Sequence, residues 1–355
     1  MSDAALAVVQ RSFAMEMRAE AWLGDELLTA DIPIADGGED RDRSLAVPER
    51  VTLTVPRRDR GVTWDPGADP RHPLAAVGQR IRVDYGVHVG GSVEWLNRGW
   101  FLTTATSADG DTVSVTAQGL LTLIDEAKLA APFQPSGGLT STLRGLVEPA
   151  LSVSVAGGLT DRDVPEGMQW DSDRLGAVHE VLDAWAADAA VTEDGVLQVA
   201  PLDDTGDPVL SLTDGTGGTV VRWQAASGRD GAYNAVICQG EDPDGNQIQG
   251  VVYDIDGRSP YRIGGPFSPL VVPYTVSSPL MTTVAQCRLA AATTLARLRR
   301  TAARRLEVTM VPHPGLMLGD IVAVTGAGLT AAPCTVEKLG LPYRPGQQSL
   351  AVRVL

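Results

Sequence analysis

The chain has 355 residues, 44% of them hydrophobic and 21% charged, the balance of a folded globular protein of two or three domains. Its 44 acids against 29 bases give a formal charge of −15, which points away from a protein that grips nucleic-acid phosphates. The 38 glycines and 23 prolines, many at turn positions, favour β structure over helix. Three cysteines, Cys238, Cys287 and Cys334, form no CxxC pair, so a disulfide framework or zinc ribbon is not expected and small buried side chains in a reducing cytoplasm are. Residues 1–12 lack a basic segment followed by a long apolar run, and no run of 18 apolar residues occurs, so neither a secretory signal nor a membrane segment is expected.

Residues 13–22 alternate, with Phe13, Met15, Met17, Ala19 and Ala21 on one face and Glu16, Arg18 and Glu20 on the other, which predicts a half-buried strand. Gly24-Asp25 marks a turn, so the chain should return from Leu27 as a hairpin. The charged run Asp36–Arg43, with Gly37-Gly38, reads as an exposed loop. Val51, Leu53 and Val55 alternate with threonines as a strand, and residues 56–73, rich in Pro, Arg and Asp, read as a long surface loop. Further strands are predicted at Ile81–Tyr85, Glu94–Thr104 and Thr112–Gln118, the last two separated by Asp109-Gly110-Asp111. Six short strands with turn punctuation imply a sandwich or barrel within 13–130.

The pattern then changes. Leu139–Val147 predicts a short helix after the break Pro135–Gly138. Over 173–189, Leu175, Val178, Leu182, Trp185 and Ala189 recur at spacings of three and four, the stripe of an amphipathic helix, with Asp171, Ser172 and Asp173 as capping candidates. Glu193-Asp194-Gly195 then turns a hairpin. From 206 onward β structure returns, interrupted by a helix near 283–304 with the stripe Val284, Cys287, Ala291, Leu295, Leu298 and Ala302. Thr283 and Gln286 fit a capping box. Arg297, Arg300 and Arg304 line its other face, expected to be solvated or to face protein. The expected division is 1–134, a β-barrel-like domain; 135–205, a small α+β domain; and 206–355, a second β-barrel-like domain that contains the helix. The fold class is thus mainly β with an α+β insertion.

No pattern for chemistry stands out. The histidines His72, His88, His179 and His313 make no HExxH and no zinc-ligand spacing. His179, on or beside the apolar stripe, reads as a packing histidine, and His313 lies in a turn between two prolines. Gly215–Gly218 has no helix behind it to make a phosphate cradle. Asp242, Asp244 and Asn246 are spaced like calcium ligands, but Gln247 and Tyr253 stand where that loop needs Gly and Glu, so a hairpin turn at Asp244-Gly245 is expected instead. No catalytic, cofactor-binding or metal-binding residue is assigned, and no cofactor is expected. Two apposed carboxylates, all that a glycosidase needs, are open among 44 acids.

Residues 233–324 carry a recognisable succession. Tyr233–Gln239 is a strand, Asp244-Gly245-Asn246 a turn, and Val251-Val252-Tyr253 a second strand. Arg258-Ser259-Pro260, Gly264-Gly265, the basic helix, a strand at Leu306–Val311, the turn Gly315–Asp320 and a strand at Ile321–Val324 follow. This order resembles the tail-tip, or baseplate, hub proteins of long-tailed bacteriophages. The N-terminal half is similar to minor tail proteins of actinobacteriophages in Met15-Glu16-Met17 to Trp22, Ile32-Pro33-Ile34, Val51–Val55, Gly78–Gly86 and Arg98-Gly99-Trp100-Phe101.

The resemblance implies a structural virion protein, not an enzyme. It implies a homotrimer whose two β-barrel-like domains per chain form a ring continuing the tail tube, with the α+β domain outside. The expected partners are further copies of itself, the distal tail protein, the tape measure protein and tail fibre or receptor-binding proteins. DNA would pass through the ring without specific binding, along a bore with net negative lining and with the Arg297–Arg305 cluster outside it. The expected location is the virion tail tip, after assembly in the bacterial cytoplasm. Two alternatives stay open: a tail-tip hydrolase or binding protein for cell-wall glycan, and the hub of a bacterial contractile injection machine.

Overall fold

The computed structural model describes residues 1–10, 13–165, 167–201, 205–226, 231–302 and 305–355. A short helix α1 (Asp3–Val9) leads into β1 (Met15–Leu23), which turns at Gly24, φ +60°, into β2 (Glu26–Thr29) as the alternation predicts. Then come β3 (Asp36–Asp42), β4 (Glu49–Pro56), the two-residue strands β5 (Arg58–Asp59) and β6 (Val62–Thr63), β7 (Gln79–Val89), β8 (Ser92–Asp109) and β9 (Thr112–Gly119). The middle of the chain holds α2 (Thr122–Glu126), α3 (Leu139–Val147), β10 (Val153–Val155), α4 (Arg174–Trp185), β11 (Ala187–Val191) and β12 (Leu197–Pro201). The rest is β13 (Leu210–Thr213), β14 (Val220–Ala226), β15 (Ala235–Glu241), β16 (Gln247–Tyr253), β17 (Pro273–Ser277), α5 (Val284–Ala302), β18 (Arg305–Met310), β19 (Ile321–Gly326), β20 (Leu329–Pro342) and β21 (Gln348–Val354).

The fold is mainly β, as expected. Among the described residues a 13-stranded sheet runs β14-β18-β21-β20-β3-β4-β9-β8-β7-β1-β2, with β19 also on β20 and β13 on β19. Strands from both ends of the chain therefore share one hydrogen-bonded sheet, joined where β3 pairs with β20. That joint corrects the loop expected at Asp36–Arg43. Composition suggested solvent, but β3 pairs on both edges, with Glu39 opposite Val51 on one side and Leu341 on the other. Gly37 is required by the close packing there, since a Cβ would lie 2.6 Å from the Thr52 carbonyl oxygen.

Two hydrophobic clusters result. The first gathers inward residues of the sheet, including Val51, Leu53, Val83, Phe101 and Val115 from the first third of the chain and Leu306, Val336, Leu339 and Val352 from the last. The second joins α2–α4 and the β10-β12-β11 sheet to the β16-β15-β17 sheet and α5. The helix α5 lies over β15 and β16 and shares this cluster with α4, so residues 235–295 pack with 120–199. The stripe of α4 ends earlier than its periodicity suggests. Ala186 takes φ +57°, a left-handed stop, and Ala189 points from β11. Among the described residues no helix is long and apolar enough to cross a membrane.

Candidate functional site

The β3–β20 seam buries an ionic cluster. The alternation of β3 turns Glu39 and Arg41 inward and Asp40 outward. Glu39 is 1% exposed and Arg98, from β8, is 2% exposed. Glu39 Oε1 accepts from Arg98 Nε at 3.0 Å and from a second guanidinium nitrogen, and Tyr343 Oη donates to Oε2 at 3.2 Å. Arg98 also donates to the carbonyls of Pro314 and Leu316, the latter at 3.2 Å, while Arg41 donates to the carbonyl of Arg98. One side chain thus ties the N-terminal half of the sheet to the 312–319 turn of the C-terminal half. Burial by itself pushes Glu39 up, but the charges of Arg98 and Arg41 and hydrogen bonds from Arg98 and Tyr343 outweigh it and hold the carboxyl below its ordinary value.

Beside the seam lies a groove between the sheet and the helical layer, with cavities of about 430 and 540 Å³. Arg41 and Glu49 form its sheet wall, Leu45 and Pro48 a strap across it, and His179 and Leu182 of α4 its far wall. Burial raises Glu49, only partly offset by Arg41, and its Oε2 has no hydrogen-bond partner. A glycosidase would need a second carboxylate held across from it. Asp188 is ion-paired with Arg43, and Asp183 with Arg297 at 2.8 Å. The groove therefore sets Glu49, held above its ordinary value by burial, near acids that are ion-paired, and among these no second free carboxylate is held across from it for hydrolysis.

The free strand edges are the other feature with functional meaning. Among the described residues β2 and β14 end the long sheet, and β16 and β17 flank the small one. Apolar side chains stand at or near these edges: Leu27 is 44% exposed, Val221 57%, Leu270 73% and Ile255 80%. Unpaired edges with apolar neighbours are surfaces that assembly covers.

The other sequence expectations fall as follows. Asp242 Oδ1 accepts from the backbone of Asp244 at 3.0 Å and of Asn246 at 2.8 Å, a hairpin turn. Thr283 and Gln286 make the reciprocal capping box, at 3.2 and 3.1 Å. His179 is half-buried on the groove wall. His313 is buried with no hydrogen-bond partner at either ring nitrogen. Arg297 meets Asp183, whereas Arg299 holds Asp254, whose side chain is fully buried. The side chains of Arg300 and of Ala302 at the end of the stripe, and all of Arg304, lie outside what the structure describes. The sequence reading missed Glu39, Arg41 and Arg98. The only signal was the two-residue spacing of Glu39 and Arg41, which puts both on one face of a strand.

No protein-family model and no curated protein match this sequence. Solved structures do. A tail protein from Neisseria meningitidis superposes over 95% of this chain and 96% of its own, with a TM-score of 0.63 and 14% identity. The chain shares the fold of that tail protein. A 43 kDa prophage tail protein from Shewanella oneidensis agrees over 95% of this chain and 98% of its own, with a TM-score of 0.57 and 13% identity. A chain of the Francisella PdpA–VgrG complex matches 96% of this chain but 58% of its own length, with a TM-score of 0.53 and 9% identity.

Proposed function

We propose that this protein is a non-enzymatic structural part of a phage tail tip, a hub whose copies close into a three-fold ring continuing the tail tube. The agreement of fold with tail proteins over nearly the full length of both chains carries this reading. The free edges of the long sheet support a ring, because edge-to-edge contacts between copies would cover them. In this arrangement the ring is built from the long sheet, drawn from the expected domains 1–134 and 206–355. The expected α+β domain, 135–205, hangs outside together with β15–β17 and α5, which share its core. The partners are the distal tail, tape measure and fibre or receptor-binding proteins, in the virion of a phage assembled in the bacterial cytoplasm. DNA passes through a bore whose lining is net negative, for which the charge of −15 supplies the material. Symmetry-averaged electron microscopy of intact particles should place three copies at the tail tip. A monomer there, or a bore that retains duplex DNA in a low-salt filter assay, would overturn the reading.

A second reading has its own support. The match to a chain of the PdpA–VgrG complex favours the hub of an injection machine. Genome neighbourhood separates the two: capsid and packaging genes accompany a phage hub and are missing beside an injection machine.

A further inference from the structure

Two of the three cysteines lie together where α5 covers β15 and β16. Cys238 lies on β15 and Cys287 in the first turns of α5, and both are fully buried. Both belong to one hydrophobic cluster, and each is among the groups that shift the other's thiol. Glycine makes the approach. Gly250 on β16 is the register partner of Cys238, and a Cβ there would lie 2.6 Å from the Cys287 carbonyl carbon and 2.4 Å from the Arg288 nitrogen. Two residues along β15 from Cys238, a Cβ on Gly240 would lie 2.1 Å from the Met281 carbonyl oxygen. The segment 281–288 therefore rests on the sheet backbone itself, with Cys287 brought down beside Cys238. Cys334, on β20, belongs to the other hydrophobic cluster.

We propose that Cys238 and Cys287 are the two halves of an oxidisable bridge that clamps α5 to the small sheet. The chemistry is exchange with a low-molecular-weight disulfide. One cysteine thiolate attacks a sulfur of the reagent, breaking its S–S bond and releasing one small thiol. The second cysteine displaces the other half from the mixed disulfide, so an Sγ–Sγ bond forms, the two cysteines are oxidised and the reagent leaves as two reduced thiols carrying the two protons. Burial raises both thiols, Cys238 to about 12, so few thiolates exist at neutral pH and the folded protein reacts slowly. The pairing does not depend on the tail reading. Only its occasion does, since a virion part passes from a reducing cytoplasm to an oxidising exterior.

Refolding opens the site to reagent. The full-length chain should be reduced, unfolded in urea and refolded in a buffer of reduced and oxidised glutathione, then alkylated in denaturant and mapped by peptide mass. The expected product is a single chain about 2 Da lighter than the reduced form before alkylation, in which only Cys334 takes up the alkyl group. Because the bridge closes a loop of about 50 residues, its melting temperature should rise by about 5 °C over the reduced protein. Cys334→Ser should keep the bridge, and Cys238→Ser and Cys287→Ser should each lose it. Three alkylated cysteines in the refolded wild type, a persistent glutathione adduct, or a bridge that includes Cys334 would each overturn the proposal, and peptide mapping of the wild type decides it even where a variant fails to fold.

Discussion

The long sheet and the helical layer are built on different principles. The sheet joins two distant parts of the chain through a strand of sequence Asp-Gly-Gly-Glu-Asp-Arg-Asp, and its joint is ionic, with Glu39 and Arg98 almost fully buried. The helical layer closes on apolar side chains, Leu139, Leu143, Val181, Cys287 and Leu295 among them. An apolar core tolerates exchange of one hydrophobe for another of like volume. An ionic joint tolerates the loss of neither partner, because the survivor is left charged in a medium that cannot solvate it. The joint thus ties β3 to Arg98 of β8 and to Tyr343 beyond β20, at the cost of sensitivity to single changes.

The largest expected effect breaks that joint. Arg98→Ala leaves Glu39 with Tyr343 and the more distant Arg41, whose Nε stands 3.5 Å away. It also frees the carbonyls of Pro314 and Leu316. We expect a loss of about 4 kcal/mol in urea unfolding. A loss under about 1 kcal/mol would mean that the seam is not held by charge. The matching blow to the helical layer is Leu295→Asp, a carboxylate placed at a site 4% exposed, expected to cost about 3 kcal/mol or more. The two differ in rescue. Arg98→Ala combined with Glu39→Leu should recover part of the loss, whereas no single neighbouring change should rescue Leu295→Asp.

Acid sharpens the comparison, because the titrating buried groups cluster at the seam. His313, 5% exposed in the turn that Arg98 grips, is pushed down from 6.5 to about 4, chiefly by burial and also by the charge of Arg98. A histidine depressed in the folded state contributes stability that is present above the unfolded value, near 6.5, and is lost as pH falls toward the folded value. Glu39, also held low, has the same sign over a more acidic range. Glu49, held high by burial, has the opposite sign, its contribution fading as pH rises. Between pH 7 and pH 4 the His313 contribution is about 3 kcal/mol. Unfolding of His313→Leu should therefore depend less on pH over that interval than the wild type. Equal slopes would show that His313 is solvated.

The sequence disclosed the helical layer better than the seam. Alternation found β1, β4 and β9, the break at Pro135–Gly138 marked α3, and spacings of three and four found α4 and α5 with its capping box at Thr283. Those rules read apolar periodicity, and the elements they find turn an apolar face inward. The strand β3 has none. Its inward residues are Glu39 and Arg41, and in one dimension a buried ion pair looks like a solvated loop. The partner that settles the matter, Arg98, lies 59 residues away. The free edges were legible only as a consequence of the fold class, because which strands end a sheet depends on pairings as distant as β3 with β20.

The smallest expected effects lie on one helix and test whether the comparison holds residue by residue. Arg297 and Arg299 sit two apart on α5, and neither lies on the apolar stripe. Arg297 meets Asp183 at 2.8 Å, but both side chains are about half exposed, so water competes for each charge. Arg299 holds Asp254, whose carboxyl is fully buried and otherwise accepts from Ser259 Oγ at 2.5 Å and the Asp256 amide at 3.2 Å. The helical layer therefore contains one small copy of the seam's device. Arg299→Ala removes the counter-charge of a buried acid and should cost about 2 kcal/mol. Arg297→Ala should cost less than about 0.5 kcal/mol, and that little should vanish in about 1 M salt. If both variants unfold at the same urea concentration, burial of the partner acid is not what decides the strength of these pairs. If Arg299→Ala alone is weakened, the rule drawn from Glu39 and Arg98 extends to the layer that otherwise does without it.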